Sequence, residues 1–70
     1  MRILLNGEAA DIPGPMSVEQ LLEHLNIDAR LVAVEHNRVV VKRAVFSTTM
    51  IGEGAEVEIV AFVGGGAALA

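Results

Sequence analysis

The last residues of the chain carry its clearest chemical signal. A strand-like apolar run is followed by Gly64, Gly65 and Gly66, with Ala67–Ala70 after them. Because glycine has no Cβ, such a segment can extend, adopt positive φ and pass through a channel that excludes other residues. Three consecutive glycines at this position predict a tail that is presented to a partner protein.

Other side chains that could do chemistry are isolated from one another. His24 and His36 have no Cys partner and no second histidine at helical spacing, which argues against a zinc site. Glu19 and Glu23 lie one helical turn apart, a spacing more typical of a solvated helix face than of an acid/base pair. Ser17 precedes an apolar periodic run and is predicted to cap a helix rather than to act as a nucleophile. We therefore predict a protein without catalysis of its own.

Composition narrows the classes of partner and of fold. The chain has 70 residues and no Cys, enough for one small domain without disulfides. Nine acidic and five basic residues give a net charge of −4, which disfavours nucleic acid and makes basic protein surfaces the better candidates. The longest uncharged run has 12 residues, below the roughly 18 of a membrane span. We expect no membrane partner and a cytoplasmic location.

The first half of the chain predicts a hairpin and a helix. Arg2–Asn6 and Glu8–Ile12 read as strands, joined by a type I′ turn at Asn6-Gly7. Ser17 and Gln20 have the spacing of a capping box, and Asn26 suits the left-handed residue after the last helical turn. Between them the apolar residues recur at helical spacing, namely Val18, Leu21, Leu22 and Leu25.

The second half predicts three more strands. Leu31–Glu35 and Val39–Lys42 are β-rich and are joined across His36-Asn37, and a short helical turn is expected within Arg43–Met50. Lys42 and Arg43 could contact a partner enzyme, although solvent exposure is the default expectation for both. The last strand, Glu56–Val63, should alternate between two faces, and Val57 and Ile59 should be buried. One face is predicted to carry Val57, Ile59, Ala61 and Val63, and the other Glu56, Glu58, Val60 and Phe62.

The order ββαβββ indicates an α+β domain of the β-grasp type. A mixed sheet of four to five strands must bury its apolar face against the single helix. We expect this domain to occupy residues 1–63 and a flexible Gly/Ala tail to occupy 64–70. If the first and last strands are neighbours, Leu4, Val60 and Phe62 share the opposite face and form a docking patch beside the tail.

Several runs together resemble the thiamine-pathway sulfur carriers, small ubiquitin-like proteins that end in Gly-Gly. The similar runs, in order, are Ile3-Leu4-Leu5-Asn6-Gly7, Val34-Glu35-His36-Asn37, Val40-Val41-Lys42-Arg43, Gly52-Glu53-Gly54-Ala55-Glu56-Val57-Glu58-Ile59-Val60 and the glycines. The resemblance implies that a ubiquitin-activating-type enzyme adenylates the Gly66 carboxylate with ATP. The carboxylate then becomes a thiocarboxylate, the sulfur donor to thiazole synthase. Gly64 and Gly65 would fit the tail into the enzyme, and the carrier itself would bind no cofactor or metal.

The four residues after Gly66 depart from this family pattern. Ala67–Ala70 lock the working carboxylate in a peptide bond, so we expect a peptidase to trim the tail. A remnant of recombinant expression or a repurposed homologue would also explain the extension. Two other functions remain open from the sequence: the small subunit of a molybdopterin synthase, and a β-grasp interaction module with an inert tail.

Overall fold

The computed structural model describes residues 1–63 and 67–68. Within them lie one α-helix, α1, at Val18–His24 and two single 3-10 turns at Ala29–Leu31 and Arg43–Val45. The 3-10 turn at Arg43–Val45 confirms the short helical turn that was expected within Arg43–Met50. The strands are β1 Arg2–Leu5, β2 Glu8–Asp11, β3 Met16–Ser17, β4 Val32–His36, β5 Val39–Val41, β6 Met50–Ile51, β7 Glu56–Val63 and β8 Ala67–Ala68.

The main sheet is mixed, with the strand order β2-β1-β7-β4-β5. β1 and β7 are parallel neighbours, whereas β1–β2, β4–β5 and β4–β7 are antiparallel. The last long strand therefore lies at the centre, as the β-grasp prediction requires. β8 pairs antiparallel with the end of β7, with Val63 opposite Ala67 and Phe62 opposite Ala68. β3 and β6 form a separate two-stranded sheet that the sequence did not predict.

Both hairpins turn through residues with positive φ. Asn6 and Gly7 have φ of 50° and 82°, which confirms the type I′ turn. The second turn is one residue later than expected, because His36 is still in β4 and pairs with Val39. Its two turn residues are Asn37 and Arg38, with φ of 50° and 69°.

The two turn asparagines also hold the central strand from either side. The Asn6 side chain accepts a hydrogen bond from the Ile59 amide at 2.8 Å and donates one to the Ile59 carbonyl at 3.4 Å. On the other side, Asn37 Oδ1 accepts from the Glu56 amide at 2.9 Å. Each asparagine backbone amide adds a bond to β7, from Asn6 to Val57 O and from Asn37 to Glu56 O. The side chains thus continue the ladders where β1 and β4 end, and they fix β7 ahead of the tail.

The helix begins and ends with side-chain and backbone caps. Ser17 Oγ accepts from the Gln20 amide at 3.1 Å, and Gln20 Oε1 accepts from the Ser17 amide at 2.9 Å. This reciprocal pair confirms the predicted capping box. At the other end Asn26 has φ of 58°, and the Ile27 amide donates to the Leu22 carbonyl at 2.8 Å. That bond is typical of a Schellman ending.

One hydrophobic core lies between the helix and the sheet. The buried helix residues Val18, Leu21 and Leu22 pack with residues from the facing strands and loops, among them Ile3, Ile12, Val34, Val41, Phe46, Ile51 and Val57. The alternation expected along β7 holds at its start, where Val57 is buried and Ile59 is half-buried. Ala61 follows at the same alternation and is exposed. Burial along this strand therefore requires a covering layer as well as the correct alternation.

Candidate functional site

The site is built on the last part of β7, which leads into the glycines. β7 pairs in continuous register with β4 from Val57 to Ala61. No extra residue interrupts that pairing, so the side chains keep alternating between the two faces up to this point. The candidate tail residues Gly64, Gly65 and Gly66 lie outside the described residues.

The predicted docking residues occupy the sheet face opposite the helix, but they do not form one patch. Leu4 is 42% exposed and lies opposite Glu56 in the β1–β7 ladder. Phe62 is 41% exposed and lies six residues further along β7, which is about 20 Å at 3.3 Å per residue. Val60 is half-buried, pairs with Ala33 and lies toward the Phe62 end. Val60 and Phe62 are therefore at the base of the tail, and Leu4 is remote from it.

Acidic side chains separate the two ends of this face. Glu58 lies directly opposite Glu35 in the β4–β7 ladder, and Glu35 is in turn opposite Val40 in β5. Like charges that face each other across a ladder are destabilising, so the Glu35–Glu58 pair does not stabilise the isolated fold. Val40 is 68% exposed, and its exposure was not predicted from the sequence. The face presents carboxylates and apolar groups together, which suits a basic partner surface.

A depression of about 260 Å³ lies at the end of the sheet where β7 leads into the tail. We call it the tail-side depression. Its lining comes from β4, β5 and β7, from the 3-10 turn before β4 and from the segment after β5. The lining residues are Arg30, Val32, Ala33, Val41, Arg43, Phe46 and Phe62. Its floor is apolar, since Val32, Val41 and Phe46 are buried, and its two arginines are exposed. Among its lining residues, Arg43 was named in the sequence as a possible partner contact.

An ion pair orders one side of the tail-side depression. Asp28 caps the 3-10 turn by accepting from the Arg30 amide at 2.9 Å, and its other oxygen accepts from Arg30 Nη2 at 2.7 Å. The hydrogen bonds from the Arg30 side chain and backbone, with a smaller contribution from the charge of Arg43, lower the pKa of Asp28 to about 2 from its ordinary value of 3.8. Asp28 therefore stays ionised at neutral pH and orients Arg30.

Ser17, which the sequence also offered as a possible chemical group, has a role in stabilising the helix. Ser17 is 4% exposed and is engaged as the helix cap. Among residues 1–63 and 67–68, no three His, Cys, Asp or Glu side chains are placed to hold a metal ion. In the same part of the chain, no helix is long and apolar enough to cross a membrane. The distinctive features are thus the end of β7 and the surfaces around it.

Comparison with known proteins places this arrangement in a family. The ThiS family matches residues 3–66, which is nearly the whole chain. The chain belongs to the ThiS family. The crystal structure of the thiamine biosynthesis protein ThiS from Geobacter metallireducens superimposes with a TM-score of 0.84. That protein is 35% identical, and the match covers 94% of this chain and 100% of the other. The β-grasp fold and the resemblance to the thiamine-pathway family, both predicted from the sequence, are confirmed.

Two curated relatives are much longer than this chain. The thiazole synthase of Paramagnetospirillum magneticum is 41% identical over 66 residues, which are 94% of this chain and 20% of that protein. The thiazole synthase of Magnetococcus marinus is 38% identical over 66 residues, which are again 94% of this chain and 20% of that protein. The chain thus spans about one-fifth of the length of these relatives. The family match describes this stretch of chain as a ThiS-type domain.

Proposed function

We propose that Gly66 carries the sulfur, as a terminal thiocarboxylate, after the residues that follow it are removed. The observation that carries this proposal is the extent of the family match, which runs to Gly66 and leaves Ala67–Ala70 outside. The position of β7 supports it, because the strand before the glycines is at the centre of the sheet and is held from both sides. A rigid base of this kind presents the tail in a reproducible direction.

The chemistry proceeds in three steps, none of which this chain catalyses. A peptidase first hydrolyses the Gly66–Ala67 peptide bond and frees the carboxylate. A carboxylate oxygen then attacks the α-phosphorus of ATP within a ubiquitin-activating-type enzyme, and pyrophosphate leaves. Hydrosulfide supplied by the enzyme system then attacks the acyl carbon, the C–O bond to AMP breaks, AMP leaves with the electron pair, and the thiocarboxylate remains. ATP is bound by the activating enzyme.

Thiazole synthase is the proposed acceptor of the sulfur. Two proteins of that name contain a stretch similar to this domain, which supports a direct working relation between the two activities. Because all the proposed partners are metabolic enzymes, we place the reaction in the cytoplasm. Val60 and Phe62 contribute the docking contacts nearest the tail, Leu4 contributes a separate one near Glu56, and Gly64 and Gly65 fit the enzyme channel.

The pairing of β8 adds a second reason for trimming. Ala67 and Ala68 occupy the ladder position beside Val63 and Phe62. A chain that retains these residues therefore has Ala67 and Ala68 paired with the end of β7, whereas activation requires a carboxylate that is free to enter the enzyme. Removal of the extension frees the carboxylate and the end of β7 at the same time.

ATP–pyrophosphate exchange with a purified adenylating enzyme tests the proposal. We expect exchange with a chain that ends at Gly66 and none with the 70-residue chain. A chain that ends at Gly65 is the matched control, because it also has a glycyl carboxylate but is one residue shorter. Equal exchange with all three would refute the assignment of Gly66. Intact-mass measurement on protein from its own cells should show a species ending at Gly66, with one oxygen replaced by sulfur in the loaded form.

A further inference from the structure

The tail-side depression combines an apolar floor with positive charge on a protein that is otherwise acidic. The lining includes Arg30 and Arg43, and Lys42 is next to Arg43 in the sequence. These three cations and Asp28, the partner of Arg30, carry a net charge of +2. The whole chain carries −4, so the remaining residues carry −6. In the described part of the chain, Lys42 and Arg43 take part in none of the ion pairs, which join Arg2 to Asp11, Arg30 to Asp28 and Arg38 to Glu56. The cationic groups here are therefore available to an external anion.

We propose that this depression receives an acidic segment of the enzyme that activates the tail, with one large apolar side chain seated on the floor. Val32, Val41 and Phe46 supply the apolar surface, and carboxylates beside the seated side chain contact Arg43 and Lys42. The inference rests on the proposed function, since it takes the partner to be that enzyme. The depression contains Phe62, which is two residues before Gly64, so a protein that holds the tail is already close to it.

Size and charge both favour a protein segment over a small ligand. The volume of about 260 Å³ is below the roughly 300–1,000 Å³ typical of small-molecule sites. It is sufficient for one large side chain. Arg43 remains exposed, so its contact resembles a rim charge, which acts on specificity and on the rate of encounter more than on buried affinity. Arg30 is fixed by Asp28 and offers its remaining donors in a defined direction.

The position of the depression also gives the carrier two electrostatically opposite contact regions. The outer face of the sheet carries Glu35 and Glu58, and the depression is lined by Arg43 and Arg30. A partner must match both signs in the right places to seat the tail. A protein that matches only the acidic face or only the basic depression is disfavoured, because it brings like charges together at the other region and this lowers its binding affinity.

Charge reversal at Arg43 tests the inference in a chain that ends at Gly66. With purified adenylating enzyme, Arg43→Glu should raise the KM for the carrier in ATP–pyrophosphate exchange by about tenfold and leave kcat nearly unchanged. Arg43→Gln should have an intermediate effect. In 0.5 M salt the difference should shrink, because exposed charges are screened. Arg38→Glu is the matched control: it makes the same change in charge at the far turn of the β4–β5 hairpin, and its KM should stay within about twofold of the unsubstituted chain.

A binding measurement without ATP separates this inference from the proposed function. If the unsubstituted chain binds the enzyme but supports no exchange, the proposed chemistry fails, while a selective loss of binding in Arg43→Glu still supports the docking site. Equal behaviour of Arg43→Glu and Arg38→Glu overturns the inference, as does absence of binding by the unsubstituted chain. The NMR signals of the Val32 and Val41 methyl groups should shift on addition of the enzyme. Unmoved methyl signals would refute the apolar seat.

Discussion

The asparagine that closes the first hairpin should contribute to stability in two separable ways. Asn6 adopts φ of 50°, and a residue with a Cβ that lacks asparagine's local hydrogen bonding pays about 1 kcal/mol or more there. Its side chain also makes two hydrogen bonds to Ile59, at 2.8 Å and 3.4 Å. Only the shorter one has good length, and a hydrogen bond of this kind contributes about 1 kcal/mol. Asn6→Ala removes both contributions, whereas Asn6→Gly removes only the side-chain bonds.

We therefore expect Asn6→Ala to lower the free energy of unfolding by about 2 kcal/mol and Asn6→Gly by about 1 kcal/mol. A domain of this size has a total stability of roughly 4–10 kcal/mol, so both changes are measurable by urea denaturation. The larger one should lower Tm by about 10 °C. Amide exchange at Ile59 should accelerate in both variants, because its acceptor, Asn6 Oδ1, is gone.

The two variants refute different parts of the reasoning. If Asn6→Gly is as stable as the unsubstituted chain, the side-chain bonds to β7 contribute nothing. If Asn6→Ala and Asn6→Gly are equally destabilised, the left-handed conformation carries no penalty. Asn37 provides an internal comparison, because it has the same φ and bonds Glu56 instead of Ile59. Glycine substitutions at both positions should be additive, since the two side chains share no partner.

Four further outcomes are expected. Leu22→Ala should cost about 2–5 kcal/mol in a urea titration, since Leu22 is 1% exposed in a small core, and a smaller loss would show that the site collapses around the cavity. Gly65→Ala should slow activation with Tm unchanged, because the added methyl obstructs a narrow channel; normal exchange kinetics would exclude that fit. Phe62→Asp should weaken enzyme binding more than folding, and unfolding of the variant would remove Phe62 from the docking surface. Arg30 holds the pKa of Asp28 at about 2, so the stabilisation from this carboxylate is present above pH 3.8 and is lost as the pH falls toward 2. Arg30→Gln should reduce that loss in acid titrations of stability, because it removes the guanidinium bonds and keeps the backbone bond from residue 30; an unchanged acid profile would refute the role of the guanidinium.

Local signals were sufficient for the helix and for the first turn. Ser17 and Gln20 satisfy each other within one turn of chain, and Asn6-Gly7 supplies two residues that tolerate positive φ. Interactions of this kind depend on neighbours within a few residues, so their spacing in the sequence already encodes them. The glycines before Ala67 are equally local, and with the ordered runs along the chain they identified the family correctly.

Other features depended on contacts between distant segments. The second turn moved by one residue to Asn37-Arg38 because pairing of β4 with β7 keeps His36 in the strand, opposite Val57. β3 and β6 exist only because Met16 and Ile51 meet across the fold. The local sequence carries no separate signal for either the β4–β7 pairing or the β3–β6 pairing. A strand of two residues, such as β3 or β6, is defined by the strand it pairs with.

The surroundings of the tail were decided by tertiary structure in the same way. Leu4 and Phe62 were expected in one patch, and the parallel register of β1 with β7 places them near opposite ends of the sheet face. Arg30 and Arg43 are 13 residues apart in the sequence and line one depression because β4 and β5 are paired between them. The sequence by itself determined the family and supplied the glycines for which we propose the sulfur chemistry. Only the register of the strands decided which charged and apolar side chains surround the point where the tail begins, because register sets neighbours that chain spacing cannot specify.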